Sequence, residues 1–360
     1  LARTLAGCGA FADLDGERLV VAATRVQLER ALVQLAGAVA ADSEAESALA
    51  LGRELQRALE ADRSPARTLR LRSATLDLGS GPKTMGILNV TPDSFFDGGR
   101  YRGLDAAVAR AFALVEAGAE LIDIGGRSYA ATNPQIAAEE ELARILPLVG
   151  ELVRRKIGVP LSIDTTHAAV ALATLAVGAD LINDCSGLSE PELVRAVARE
   201  GGALVVMHLR GELNVRAAAY PYEDALGEIV GFLRERCEFA LEHGVAPESL
   251  VVDPGLEFGK EPRTDLEILE RFGDLRSLGY PILLAASRKS FLGRIMNLPA
   301  SELLVPSLAL AALGICAGAA MVRTHDVPET VRLCRMLATV RPANRARIPI
   351  AAAMPDNSTS

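Results

Sequence analysis

Eight short apolar runs in this 360-residue chain each end in a polar group, and the groups differ from run to run. TMGILNV carries Asn89, ELIDIGG carries Asp123 and continues into Gly125-Gly126-Arg127-Ser128, and PLSIDT ends in Asp164. DLINDCSG gives Asn183 and Asp184, ALVVMH gives Met207 and His208, and LVVDPG gives Asp253 followed by the rest of PGLEFGK. PILLAAS leads into Ser287-Arg288-Lys289-Ser290, and AAMVRTH gives Arg323, His325 and Asp326. Asp164, Asn183, Asp253 and Lys289 together offer carboxylates, a carboxamide and an ammonium, the set that reads the donor and acceptor edge of a flat nitrogen heterocycle. Asn89, Arg323 and His325 make a second set, an anion pocket. In it Arg supplies a planar fork, His a second donor, and the Asn carbonyl a hard oxygen suited to Mg²⁺ carried by a diphosphate. Taken singly, Asp184 and Asp326 read as helix caps, and His167 and His208 as packing or cap residues. The joint occurrence at the ends of successive strands gives the functional reading its weight.

The runs are rich in Leu, Ile and Val, and helical stretches follow them at 104–117, 139–155, 167–177, 190–200, 222–243, 301–318 and 327–340. Strands apolar on both faces and alternating with helices need parallel pairing with both faces covered, so the fold class expected is α/β, a closed (β/α)8 TIM barrel. In such a barrel the C-terminal ends of the strands gather around one cavity, which is where the polar groups fall. Just upstream, TLRLRSATLDLG alternates apolar and polar residues around a Ser-Ala bend and reads as a β-hairpin plugging the N-terminal floor. Residues 1–65 read as a small α/β extension: a strand at ERLVVAA, then helical spacing in VQLERALVQLAGAVA and EAESALALGRELQRALE, then a break at ADRSPAR. Its amphipathic helices are expected to cover an apolar patch of the barrel or of its dimer. The barrel is assigned to 66–342, and 343–360, without periodicity, to a disordered tail.

Half of the residues are hydrophobic and the formal net charge is −8, a balance that argues against nucleic-acid and membrane-surface partners. The five cysteines at 8, 185, 237, 316 and 334 show no CxxC pair, and no His stands at metal spacing, so neither disulfides nor a zinc site is expected. No apolar run reaches membrane-spanning length and no signal-peptide pattern is visible, so a reducing cytoplasm is the expected location.

ILNVTPDSFFDGG, IDIGG, SIDT, INDCSGL, DPGLEFGK, SRKSFLG and RTHDV, in this order between residues 84 and 340, resemble the dihydropteroate synthase family. The resemblance implies a transferase of folate biosynthesis that joins 6-hydroxymethyl-7,8-dihydropterin diphosphate to 4-aminobenzoate and releases diphosphate. It implies pterin contacts from Asp164, Asn183, Met207, Asp253 and Lys289, and diphosphate contacts from Asn89, Arg323 and His325, with Asn89 at Mg²⁺. It implies an aminobenzoate pocket at Phe258 and Ser290, a lid loop at Thr91, Pro92, Asp93, Ser94 and Phe95, and a homodimer, for which the 301–318 helix is the candidate face. Lys289, Asp253, Arg323 and His325 are the expected catalytic set.

Two departures stand out. GGRSYAAT puts Arg127, Tyr129, Ala130 and Ala131 where the family reads Glu, Thr, Arg and Pro in GGESTRPG, and Glu257 stands where Gly is usual. Arg127 is therefore a candidate to restore positive charge for an anionic benzoate. The alternatives held open are a related synthase using another arylamine, a methyltetrahydrofolate-type methyltransferase of the same superfamily, and a paralogue that only binds pterin.

Overall fold

The computed structural model describes residues 11–15, 18–22, 28, 56, 66–90, 100–127, 136–213 and 220–340. The chain divides into two compact units, Leu1–Ala66 with Asp274–Tyr280, and Arg67–Gly273 with Pro281–Ser360. In the first, β1 (Phe11–Asp15) pairs antiparallel with β2 (Arg18–Ala22). The sequence marked only the second of these strands. The helices expected in 26–60 lie outside the described residues, apart from single helical positions at Leu28 and Gln56, as does the tail from 343 onward.

The second unit opens with the expected hairpin, β3 (Thr68–Arg70) and β4 (Thr75–Asp77). The barrel strands follow: β5 (Lys83–Asn89), β6 (Leu121–Gly125), β7 (Leu161–Asp164), β8 (Leu181–Asp184), β9 (Ala203–Met207), β10 (Leu250–Asp253), β11 (Leu283–Leu284) and β12 (Met321–Thr324). All neighbours are parallel, in the order β10-β9-β8-β7-β6-β5-β12-β11. The cylinder closes through a single bridge, Val252 to Ile282, where the Val252 N–H donates to Pro281 O at 2.9 Å.

The helices between the strands are α1 (Arg100–Glu116), α2 (Ala138–Arg154), α3 (Ala168–Val177), α4 (Pro191–Glu200), α5 (Ala225–Glu242), α6 (Pro262–Glu270), α7 (Ser290–Met296), α8 (Leu304–Ala317) and α9 (Val327–Val340). Of these, α6 and α7 were not anticipated. Their nine and seven residues give too few turns for an apolar stripe to declare itself.

Side chains alternate along each strand with period two, and that alternation builds the interior in layers. The lowest inward positions, Met85, Leu121, Leu181, Ala203, Val205, Val251, Leu283 and Met321, form one apolar cluster with Leu69, Leu71 and Leu78 of the hairpin segment. The hairpin is thus the floor, as its pattern predicted. Polar contacts lock it there: Asp180 accepts from the backbone N–H and hydroxyl of Ser73, and the Arg70 Nε donates to the Ser249 hydroxyl. Two residues further along the strands the inward positions turn polar: Asp123, Asn183, Asp253 and Arg323 stand above Leu121, Leu181, Val251 and Met321. No helix among the described residues is long and apolar enough to cross a membrane.

Candidate active site

Arg323, on β12, reaches across the barrel mouth. Its Nε donates to Asp123 Oδ2 at 2.6 Å and one terminal nitrogen donates to Asp164 Oδ2 at 2.7 Å. Asp123, with no exposed surface, also accepts from the Ser162 hydroxyl and from the Asn183 carboxamide at 3.2 Å. Burial works against the Arg323 charge, but the two carboxylates more than offset that and hold the guanidinium more firmly protonated than usual. Burial raises Asp164 above the ordinary carboxylate range despite Arg323 beside it. Its other oxygen accepts from the Cys185 thiol at 3.2 Å.

The two sets of groups separated on sequence are therefore joined at Arg323, Asp164 and Asn183. Arg323, expected in the anion pocket, holds Asp164, expected at the heterocycle edge. Asp123 ties both to Asn183. Sequence reasoning noted Asp123 but left it out of the site, although an acid in the middle of LIDIG, two positions from each of two inward neighbours, was a usable signal.

Asp253 faces the same space. Burial raises its carboxyl, while the Gly255 N–H, Lys289, Lys260 and Arg323 oppose that rise. Met207, paired with Asp253 in the ladder and buried, lies beneath; its Cγ would sit 3.2 Å from a side-chain carbon placed on Gly255. Lys289 donates to Leu256 O at 3.0 Å, with its ammonium 4.8 Å from the centre of the Phe258 ring. Ser290 donates to Glu257 Oε1 at 2.7 Å.

Lys260 braces this loop from below, donating to Gly255 O at 2.7 Å and Phe258 O at 2.9 Å, with His208 O at 3.4 Å. Burial brings its ammonium down to about 7, against the pull of Asp265 and Asp253. His208 is a packing residue, as expected: its ring meets Phe232 edge-on at 4.8 Å, and burial first, then Lys260 and Arg210, push it down to about 2, so it is neutral.

At the open side, His325 is exposed and shares a contact of 3.1 Å with the Ser287 hydroxyl. Desolvation in the crowded rim and then the Arg323 charge bring its imidazole down to about 4. Asn89 is exposed at the end of β5, and its Oδ1 lies over Gly125, where a side-chain carbon would come within 3.4 Å. Among the described residues no group of three or more His, Cys, Asp or Glu is placed to cage a metal. One neutral oxygen beside open space suits a cation that arrives with phosphate ligands of its own. The lid residues Thr91, Pro92, Asp93, Ser94 and Phe95 lie outside the described residues, as do Tyr129, Ala130 and Ala131.

Two expectations change. Asp184 is not a helix cap: it is buried and accepts from Ser186 and from the Leu188 N–H, which closes the turn after β8. Asp326 precedes α9, but its carboxylate takes two hydrogen bonds from Arg288, at 2.9 and 2.7 Å. Arg127, the candidate to restore charge for a benzoate, has an acid beside it. It is 7% exposed, bonds to the Thr166 hydroxyl, and stands 3.7 Å from the fully buried Glu141, which His167 also contacts at 2.9 Å. The Arg-for-Glu exchange has an acid on α2 as its partner.

Residues 85–325 match the family described as pterin binding enzyme. A dihydropteroate synthase of Escherichia coli is 39% identical over 263 residues, 73% of this chain and 93% of that protein. One of Bacillus subtilis is 39% identical over 254 residues, 70% of this chain and 86% of that one. The solved Xanthomonas albilineans dihydropteroate synthase with 4-aminobenzoic acid superposes at a TM-score of 0.70, with 36% identity, over 79% of this chain and 100% of that chain. The complex of the enzyme from that organism with 7,8-dihydropteroate gives 0.68 and 36% over 76% and 98%.

Proposed function

Because the chain belongs to the pterin-binding enzyme family, we infer that it catalyses the dihydropteroate synthase reaction. 6-Hydroxymethyl-7,8-dihydropterin diphosphate is joined to 4-aminobenzoate, diphosphate leaves, and 7,8-dihydropteroate is formed. The observation that carries this is identity of 39% over nearly the full length of a dihydropteroate synthase, with the polar ring at the C-terminal barrel mouth in support.

In this reading Asp164, Asn183, Asp253 and Lys289 take the pterin edge, with Met207 beneath the ring. Burial raises both carboxyls above the ordinary range, Asp164 to about 6, and as acceptors they suit the donor positions on the edge of the ring. Arg323 and His325 take the departing diphosphate. Arg323 commits its Nε and one terminal nitrogen to carboxylates, and its Nη1 has no hydrogen bond among the described residues. His325, neutral at pH 7 when the site is free of anion, would gain a proton as diphosphate charge gathers beside it. Asn89 would be the protein ligand of Mg²⁺, which when bound neutralises leaving-group charge.

As the C–O bond breaks, positive charge appears on the pterin methylene and spreads into the electron-rich dihydropterin. The arylamine is neutral at pH 7 and needs placement more than deprotonation. Phe258 and Ser290 line its pocket. Thr91 to Phe95 would close over both substrates and keep water from trapping the cation.

The test is incubation with the pterin diphosphate, Mg²⁺ and 4-aminobenzoate, following diphosphate and dihydropteroate together. Release with some other arylamine and none with 4-aminobenzoate would select the related-synthase reading, which Glu257 at the arylamine end favours. None of the relatives named above favours the methyltransferase.

The protein is also read as a cytoplasmic homodimer. The four described cysteines are free, three of them buried. On α8, Val305 and Leu313 are 72% and 58% exposed, and Met336 on the neighbouring α9 is 63% exposed, apolar side chains that a partner would cover. A second copy is the occupant proposed. Val305→Glu with Leu313→Glu is expected to convert the dimer to a monomer in sedimentation velocity at micromolar concentration; a monomer before substitution removes the proposal. Residues 1–65 are assigned to an extension outside the catalytic unit, which is taken as 66–342.

A further inference from the structure

The loop leaving β10 takes left-handed backbone at every second residue: φ is 67° at Gly255, 71° at Glu257 and 67° at Gly259. At the two glycines nothing else fits, since a side-chain carbon would stand 2.0 Å from His208 O at 255 and 1.9 Å from Arg210 O at 259. Glu257 adopts the same conformation with a side chain, against the preference of L-residues. Three hydrogen bonds hold it. Its N–H donates to Asp265 Oδ1 at 2.9 Å, and its Oε1 accepts from the Ser290 hydroxyl at 2.7 Å and from the Phe291 N–H at 2.6 Å.

Among the described residues, Arg288 is held by Asp326 and Lys289 bonds to Leu256 O. A carboxylate on the arylamine would therefore find the donors of Ser290 and Phe291 already taken by a group of its own charge, and two carboxylates cannot share them without repulsion.

We propose that Glu257 sets the specificity of the arylamine pocket: its carboxylate holds the Ser290 hydroxyl and the Phe291 N–H, so 4-aminobenzoate reaches them only by displacing it. The pocket consequently discriminates less in favour of 4-aminobenzoate over an uncharged arylamine than it would with glycine at 257. The proposal rests on the reading above in which Phe258 and Ser290 line the arylamine pocket.

The test measures kcat/KM for 4-aminobenzoate and for its uncharged counterpart 4-aminobenzamide, with pterin diphosphate and Mg²⁺, in the unsubstituted protein, Glu257→Gly and Glu257→Gln. Glu257→Gly is expected to raise kcat/KM for 4-aminobenzoate about tenfold or more, the worth of a charge-assisted hydrogen bond, through KM, and to change 4-aminobenzamide by less than about threefold. Glu257→Gln, which keeps an acceptor and removes the charge, should fall between, and it provides a second folded variant. An equal change for both amines, or none for 4-aminobenzoate, overturns the role of Glu257 while turnover itself upholds the proposed reaction. Diphosphate release with neither amine in any of the three proteins overturns the reaction and this proposal together.

Discussion

Arg323→Met is expected to lower kcat/KM for diphosphate release by about a thousandfold, the scale seen when a fixed donor to a developing anion is removed. Two effects combine. Diphosphate loses its planar cationic partner, and Asp123 and Asp164, which accept from that side chain at 2.6 and 2.7 Å, are left as buried acids without a counter-charge. Removing one partner from a buried ion network costs about 3–5 kcal/mol, so the variant should also melt at lower temperature. Arg323→Lys separates the two contributions. It returns a positive charge but cannot bridge two carboxylates with one fork, so much of the stability should come back and little of the rate. Kinetics on the folded fraction, set from a urea titration, decide the matter. An Arg323→Met protein within tenfold of the unsubstituted rate would remove this side chain from the chemistry.

Arg127→Met is expected to cost about 3–5 kcal/mol of unfolding free energy while leaving the KM for the arylamine unchanged. Arg127 faces Glu141, which has no exposed surface, and without the guanidinium that buried carboxylate keeps only its contact with His167. Packing is tight there. A side-chain carbon on Gly126 would already lie 3.0 Å from the Glu141 Cγ and 3.0 Å from the Ile145 Cγ2. The double variant Arg127→Met with Glu141→Leu should recover most of the loss, since replacing both members of a buried pair by apolar groups is often neutral. Urea denaturation of the single and double variants gives the coupling directly. A normal midpoint with an arylamine KM raised tenfold would return Arg127 to the pocket.

Much of the barrel was legible because its strands are buried on both faces and read as apolar runs of the right length, each stopped by a polar residue. The floor was legible because TLRLRSATLDLG alternates. What escaped was of two kinds. Short amphipathic pieces such as α6, whose first turn carries Pro262 and Asp265, have too few turns for periodicity. Partnerships between distant residues escaped as well: Arg323 with Asp123, 200 positions apart, and Arg288 with Asp326, 38 apart, are fixed by register around a closed sheet, which no local pattern encodes. Asp326 was misread because a single acid before a helix fits a cap as well as an ion pair. The polar groups that line the barrel mouth could be listed from the strand ends, whereas the network linking Arg323, Asp123, Asp164 and Asn183 could not.

The cylinder is uneven around its circumference. From β10 through β5 to β12 each joint has three to five paired positions, whereas β11 offers two to β12 and meets β10 through one bridge. Staves so lightly fastened yield first under thermal strain. Asp164, Asn183 and Arg323 stand on the rigid arc, while Lys289 and Ser290 follow the loose stave. In the proposed reaction the bicyclic nucleus would be gripped by Asp164 and Asn183 on the well-paired arc and by Lys289 beyond the lightly paired stave, and the incoming amine would meet Ser290 on the side with give.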